Sequence, residues 1–350
     1  MRRRLIVVGL CLALLAGLLV AGFWIWQRSI RSDFSAALSS VDAGARRVTF
    51  TDWAQVRSAL EVDAASDPAS WMERAYERDL IAGSSMDEGA SAMQRHFGFS
   101  PANVDWEAFS QGVDGAAMVV KVPGDADFDS LARHLDEAGF TRPKDHDGVW
   151  VGGVDLIAEL DPTLTPEVQT VALLQDEGLV VTSDTREYAA QIVDVIHGDR
   201  DSLADRDESA DVVSRVGSPD TAVLWTGDFA CEDLSMSRGG EDAQTQAEQL
   251  IAEAGKVDPM RGVVMALRGR ELTVALQFES SEQAETNLRS RAKLAVGPAV
   301  GRGEGTFADD LRLDSAKTHD GSVVLGFEAR HPDSFPLSSL YDGPVLFATC

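Results

Sequence analysis

The sequence predicts an α+β protein: a single N-terminal transmembrane helix, then two lobes of antiparallel sheet with helices, with a weak internal duplication. Three observations predict it. An uncharged apolar run opens the chain, hairpin signals recur through the body, and two of the hairpins run directly into helical patterns.

Met1 to Arg4 precede a stretch without a charged side chain from Leu5 to Trp26. At ~1.5 Å rise per residue a helix of that length spans about 33 Å, enough for the hydrocarbon core of a bilayer. A cleavable signal has an apolar region of roughly 7–15 residues followed by small residues at its cleavage site. Here the run is longer and ends Phe23-Trp24-Ile25-Trp26, whose indole rings suit the headgroup level. Residues 5–26 are therefore expected to stay as an anchor. Cys11 follows Leu10, where lipoprotein processing needs a small side chain, and is read as an ordinary residue of the run. Arg2, Arg3 and Arg4 outweigh Arg28 and Arg31, which Asp33 soon dilutes. The positive-inside rule then places residues 1–4 in the cytoplasm and the body outside it. The expected location is the cell membrane, single-pass, with an extracytoplasmic C-terminal domain.

Beyond residue 31 the chain carries 26 basic against 57 acidic side chains, a formal charge of −31. Such a surface repels phosphate backbones and argues against nucleic acid as a partner. Only five of the 31 basic residues are lysine, a bias typical of GC-rich bacterial genomes and of halophiles. At 44% hydrophobic content the body should fold rather than form a disordered stalk.

Residues 27–47 read as a juxtamembrane segment and 48–115 as a helical N-terminal part. Val48–Phe50 suggests a short strand, and Asp52 is placed to cap a helix through Leu60. Helical segments are expected over Trp71–Ile81, Asp87–Phe97 and Asn103–Phe109. The first lobe, 116–215, opens with strand Ala116–Val122 and helix Phe128–Ala138, stopped by Gly139. Val149–Val151 follows, then a hairpin of Thr170–Leu174 and Leu179–Thr182 that feeds a helix bearing Tyr188, Ile192, Val195 and Ile196. The second lobe, 216–350, repeats the pattern with strand Thr221–Thr226, helix Ala243–Ala254 and the hairpin Val263–Leu267 and Leu272–Phe278. A helix from Ser280, with Gln283 placed for a capping box, comes next. A last hairpin, Leu311–Ser315 and Val323–Ala329, turns at His319-Asp320-Gly321. The boundary between lobes is expected in Gly198–Ser218. Hairpins feeding helices favour antiparallel sheets with helices on one face.

Candidate chemistry is sparse. Asp125, Asp127 and Asp129, with Asp136 beyond, alternate as calcium-loop ligands do, but Ser130 stands where that loop needs glycine. Carboxylates at a strand-to-helix junction act as caps. Gly301, Gly303 and Gly305 lack the Lys-Ser/Thr pair and the strand-to-helix setting of a phosphate loop. His96, His134, His146, His197, His319 and His331 are scattered, and no GxSxG elbow is present. No catalytic residue, metal or cofactor is assigned. Cys231 and Cys350, the two cysteines outside the apolar run, are expected to form a disulfide in an oxidising compartment, with Val345–Ala348 as a strand neighbouring Thr221–Thr226.

Cys231-Glu232 together with the ending Gly343-Pro-Val-Leu-Phe-Ala-Thr-Cys350 resembles a group of uncharacterised actinobacterial membrane-anchored extracytoplasmic proteins. The resemblance implies a bacterial envelope setting and no functional residue. The function expected is a non-enzymatic binding or interaction module, held to the membrane by its helix, for an envelope protein, a polymer or a hydrophobic ligand. The alternative is an extracytoplasmic hydrolase using acidic side chains, with or without a metal.

Overall fold

The computed structural model describes residues 32–63, 66–303 and 305–350. The expected anchor at residues 5–26 lies outside them, and among the described residues no helix is long and apolar enough to cross a membrane.

The strands are, in chain order, β1 (Arg47–Thr51), β2 (Trp106–Gln111), β3 (Ala116–Lys121), β4 (Val149–Val151), β5 (Thr170–Leu174) and β6 (Leu179–Ser183). After these come β7 (Thr221–Thr226), β8 (Gly262–Arg268), β9 (Glu271–Gln277), β10 (Leu311–His319) and β11 (Ser322–Ala329). The helices begin with α1 (Asp33–Ala37), α2 (Trp53–Ala59), α3 (Met72–Glu77), α4 (Ala90–His96), α5 (Phe128–Ala138), α6 (Val154–Leu160) and α7 (Arg186–His197). They continue with α8 (Asp207–Ser214), α9 (Phe229–Leu234), α10 (Glu241–Ala254), α11 (Ser281–Leu294), α12 (Phe307–Asp310) and α13 (Ser338–Tyr341).

The two expected lobes are one sheet. All 11 strands join in the order β10-β11-β9-β8-β7-β1-β2-β3-β6-β5-β4, and every pair is antiparallel. β1 makes the union, because it pairs with β2 along one edge and β7 along the other. Segment 198–218 is no boundary. It carries α8, whose Val212 and Val213 are buried in the core that spans both halves. Asn103–Phe109 is not a helix but the approach to β2 and its first four residues, so the 48–115 region supplies two central strands.

Strand periodicity explains the layers. Along β7, Ala222 and Leu224 face one side while Val223 and Trp225 face the other. The first side is a single continuous core under α1, α7 and α8, reaching from Ala172 on β5 to Val324 on β11. The opposite side is divided. One cluster lies under α2 to α6, with Trp53, Met93, Leu131 and Ile157. The other lies under α9 to α13, with Ala230, Ala247, Ala284 and Phe307. Helices therefore cover both faces, which corrects the one-faced expectation.

The apparent duplication also stops at pattern level. In the first half β6, the second strand of its hairpin, pairs with β3, whereas in the second half β8, the first strand, pairs with β7. The helices that follow separate accordingly. α7 buries Tyr188, Ala189 and Ile192 in the continuous core, and α11 buries Ala284 and Leu294 on the other face.

Local signals act as physics requires. Asp52 caps α2 by accepting from Gln55 N at 2.9 Å, and Asp127 caps α5 by accepting from Ser130 N at 3.0 Å. The sheet edges are protected, since β4 has only three residues and β10 carries Arg312, Asp314 and Lys317.

Cys231, in α9, and Cys350 form a disulfide with a Cα separation of 5.4 Å. The route differs from the expected one, because Val345–Ala348 is not a strand; Leu346–Ala348 is a 3₁₀ turn. The tail is seated by other means. Val345 N donates to Leu234 O at 3.0 Å, and Met236 N donates to Thr349 Oγ1 at 2.9 Å. Arg291, buried in α11, donates to the carbonyls of Phe347 at 3.1 Å, Thr349 and Asp258. Desolvation lowers its guanidinium to about 9.

The bridge closes a loop with a sequence separation of 119. In the chain-entropy model, a Cys231→Ser/Cys350→Ser variant should lose roughly 4–5 kcal/mol, less any native strain. Urea denaturation of wild type and variant measures the difference, and an unchanged midpoint would rule the stabilisation out.

Candidate functional site

The division of the helical cover falls over β1, and three cross-strand rows form its floor. Trp225, Arg47 and Gln111 make the first, Val223, Thr49 and Phe109 the second, and Thr221, Thr51 and Glu107 the third.

Residues 79–86 cross above the third row and tie the two covers together. Asp79, at φ 60° just beyond the end of α3, places its buried carboxylate against the start of α13. It accepts from Leu337 N at 2.6 Å, from Ser338 N at 3.1 Å and from the Ser338 hydroxyl. Gly83 N donates to Thr221 Oγ1 at 3.0 Å. A Cβ at position 83 would lie 2.7 Å from that oxygen and 2.9 Å from Phe50 O, so the chain can pass this low only with glycine there. Ser85 N donates to Glu107 Oε1 at 2.7 Å, and Trp53 Nε1 donates to Oε2 at 3.0 Å. Glu107 is wholly buried, and desolvation raises its carboxyl from 4.5 to about 7.

Over the first row stands Tyr341 at the end of α13. The Arg47 guanidinium lies 5.6 Å from the Trp225 ring centroid and 5.3 Å from that of Tyr341. Burial raises the Tyr341 phenol. Between the crossing and Tyr341 a cavity of about 320 Å³ opens over Thr49. Arg47, Ser84, Ser85 and Tyr341 line it, and Asp87 and Glu167 supply carboxylates. It is an open cleft rich in hydroxyls, with one guanidinium braced by aromatic rings.

The residues singled out from sequence lie elsewhere. Asp127 is a helix cap, and among the described residues no three or more of His, Cys, Asp and Glu gather as metal ligands. The glycine-rich stretch delivers Arg302, which donates to the carbonyls of Pro344, Leu340, Asp342 and Gly343 at 3.0 Å each and so caps the end of α13. Sequence reasoning missed Arg47, Asp79 and Glu107. A charged residue at an inward strand position was the available signal in Glu107, and the helical reading of Asn103–Phe109 hid it.

No family model matches the chain, and no curated protein matches it. Among solved structures, crystal form I of TP0453 aligns with 87% of this chain and 98% of its own, at TM-score 0.40 and 10% identity. Crystal form IV of TP0453 aligns with 90% of this chain and 97% of its own, at TM-score 0.39 and 9% identity. Likeness at this level says nothing about a site.

Two outcomes test the geometry. Gly83→Ala should destabilise the fold by about 1–3 kcal/mol, because β1 and β7 backbone cannot yield to a Cβ; a urea midpoint equal to wild type would contradict the close approach. Glu107 gives a pH signature. Its folded value of about 7 exceeds the ordinary 4.5, so the folded state holds the proton more tightly. The resulting stability is full below 4.5 and is lost as pH rises through about 7, about 3 kcal/mol in all. Denaturation at a series of pH values should show wild type losing that margin relative to Glu107→Gln. A pH-independent difference between the two would remove Glu107 as the cause.

Proposed function

We propose that this chain is a membrane-held extracytoplasmic binding module, without catalysis, that takes a hydroxyl-rich segment of an envelope polymer in the cleft over β1. The observation that carries the reading is the gap in the helical cover, floored by Thr49 and walled by Arg47, Tyr341 and Ser85. Carboxylates accept from neighbouring sugar hydroxyls, guanidinium and backbone N–H donate to them, and an aromatic ring packs on the C–H face of a sugar. The disulfide supports an oxidising compartment, and the uncharged run at residues 5–26 supports attachment to the membrane.

A hydrolase is the second reading, favoured by the raised carboxyl of Glu107 near the cleft. Both Glu107 oxygens, however, already accept hydrogen bonds from Trp53 and Ser85, and the side chain has no exposure. That arrangement suits a structural acid better than a proton donor to substrate.

Full-length protein in nonionic detergent should co-sediment with purified insoluble cell-wall glycan. Asp87→Asn/Glu167→Gln should weaken retention at least about fivefold, roughly 1 kcal/mol, while the thermal midpoint stays put. Retention unchanged in the variant, or absent in wild type, would overturn the cleft as the site. Release of new reducing ends would overturn the non-catalytic part.

A further inference from the structure

A second cavity, of about 260 Å³, lies where the β8–β9 turn meets the end of β11 and the C-terminal ends of α2 and α3. Its charge is the reverse of the chain's. The whole protein has 57 acidic and 31 basic residues, yet the cavity is lined by Arg78, Arg270 and His331 and by no carboxylate.

The arginines are not neutralised by neighbours. Arg78 Nη1 donates to Ala59 O at 2.9 Å and Arg270 Nη2 donates to Ala329 O. Among the described residues, neither has an ion pair. Each guanidinium has five N–H donors, so most remain free for a ligand. Glu77, Glu271, Glu328 and Asp333 adjoin lining residues in sequence but do not line the cavity, and two further carboxylates beside it are engaged with backbone. Asp79 binds Leu337 N and Ser338 N, and Asp220 Oδ2 accepts from Gly269 N at 2.7 Å. Beneath the cationic rim the lining is apolar, with buried Leu80 and Ala329 as floor and Pro332 and Pro336 beside them.

We propose that this cavity binds a small amphiphilic anion, a carboxylate or phosphate ester on a short apolar body, with Arg78 and Arg270 as paired donors. Planar guanidinium matches such oxygens in fork geometry, and the apolar floor takes the body out of water. This site is independent of the β1 cleft, although Leu80 of the same crossing segment lines it.

The test is calorimetric titration of the full-length chain in nonionic detergent with butyl phosphate, butyrate, butanol and inorganic phosphate. Butyl phosphate or butyrate should bind one to one, tighter than about 1 mM, and whichever binds better identifies the headgroup. Arg78→Gln/Arg270→Gln should weaken that binding at least about tenfold. Arg270→Gln alone, on an exposed turn, keeps the test valid should the double variant fail to fold. Butanol binding as well as the anions would overturn the cationic role, and inorganic phosphate binding as well as its ester would overturn the apolar one. No heat from either anion, or an Arg270→Gln variant that binds like wild type, would overturn the site.

Discussion

The double pairing of β1 is the constraint on which the other features depend. Five residues, Arg47 to Thr51, satisfy backbone groups along both edges and so turn two partial sheets into one. Val48 and Phe50 continue the core on one face without interruption. Arg47, Thr49 and Thr51 on the other face are polar; Tyr341 at the end of α13 stands over Arg47, and Thr49 lines the open cleft. The cover breaks where the floor stops being apolar. The cleft and the crossing segment both follow from that change of side-chain type on one strand.

The crossing segment compensates for the break with polar contacts rather than hydrophobic area. Buried carboxylates cost desolvation unless hydrogen bonds surround them. Asp79 and Glu107 each receive such bonds from partners distant in sequence, and their carboxyls are both raised by burial. Each contact joins elements that no local preference would bring together, Asp79 to Ser338 and Glu107 to Trp53. These acids therefore specify the arrangement of the two covers more than they add net stability.

The C-terminal region shows the same logic with cations. Arg291 and Arg302 offer guanidinium donors to carbonyls that neither helix nor strand satisfies, in the tail and at the end of α13. The disulfide then fixes the last residue to α9. The end of the chain is thus held by a covalent link, two arginines and a hydroxyl, in a stretch too irregular for a ladder.

What the sequence determined by itself was local. Hairpins, the cap at Asp127, the stop at Gly139 and the inward faces of α5 and α7 depend on neighbours a few residues apart, and their side-chain pattern reports them directly. The cysteine pair was legible because two thiols outside the apolar run leave one intramolecular pairing. Strand order was not legible, since ladder hydrogen bonds join backbone groups that carry no side-chain code. Nothing in Arg47–Thr51 announces that its partners are β2 and β7, so two lobes were expected where one sheet exists. The opposite placement of α7 and α11 was hidden for the same reason, because similar hairpin-to-helix patterns insert into the sheet in opposite senses. The site residues Arg47, Asp79 and Glu107 became visible only in three dimensions. Their environments include residues far away in sequence, as with Trp53 on Glu107 and Ser338 on Asp79, and burial and charge at such sites are set by distance in space.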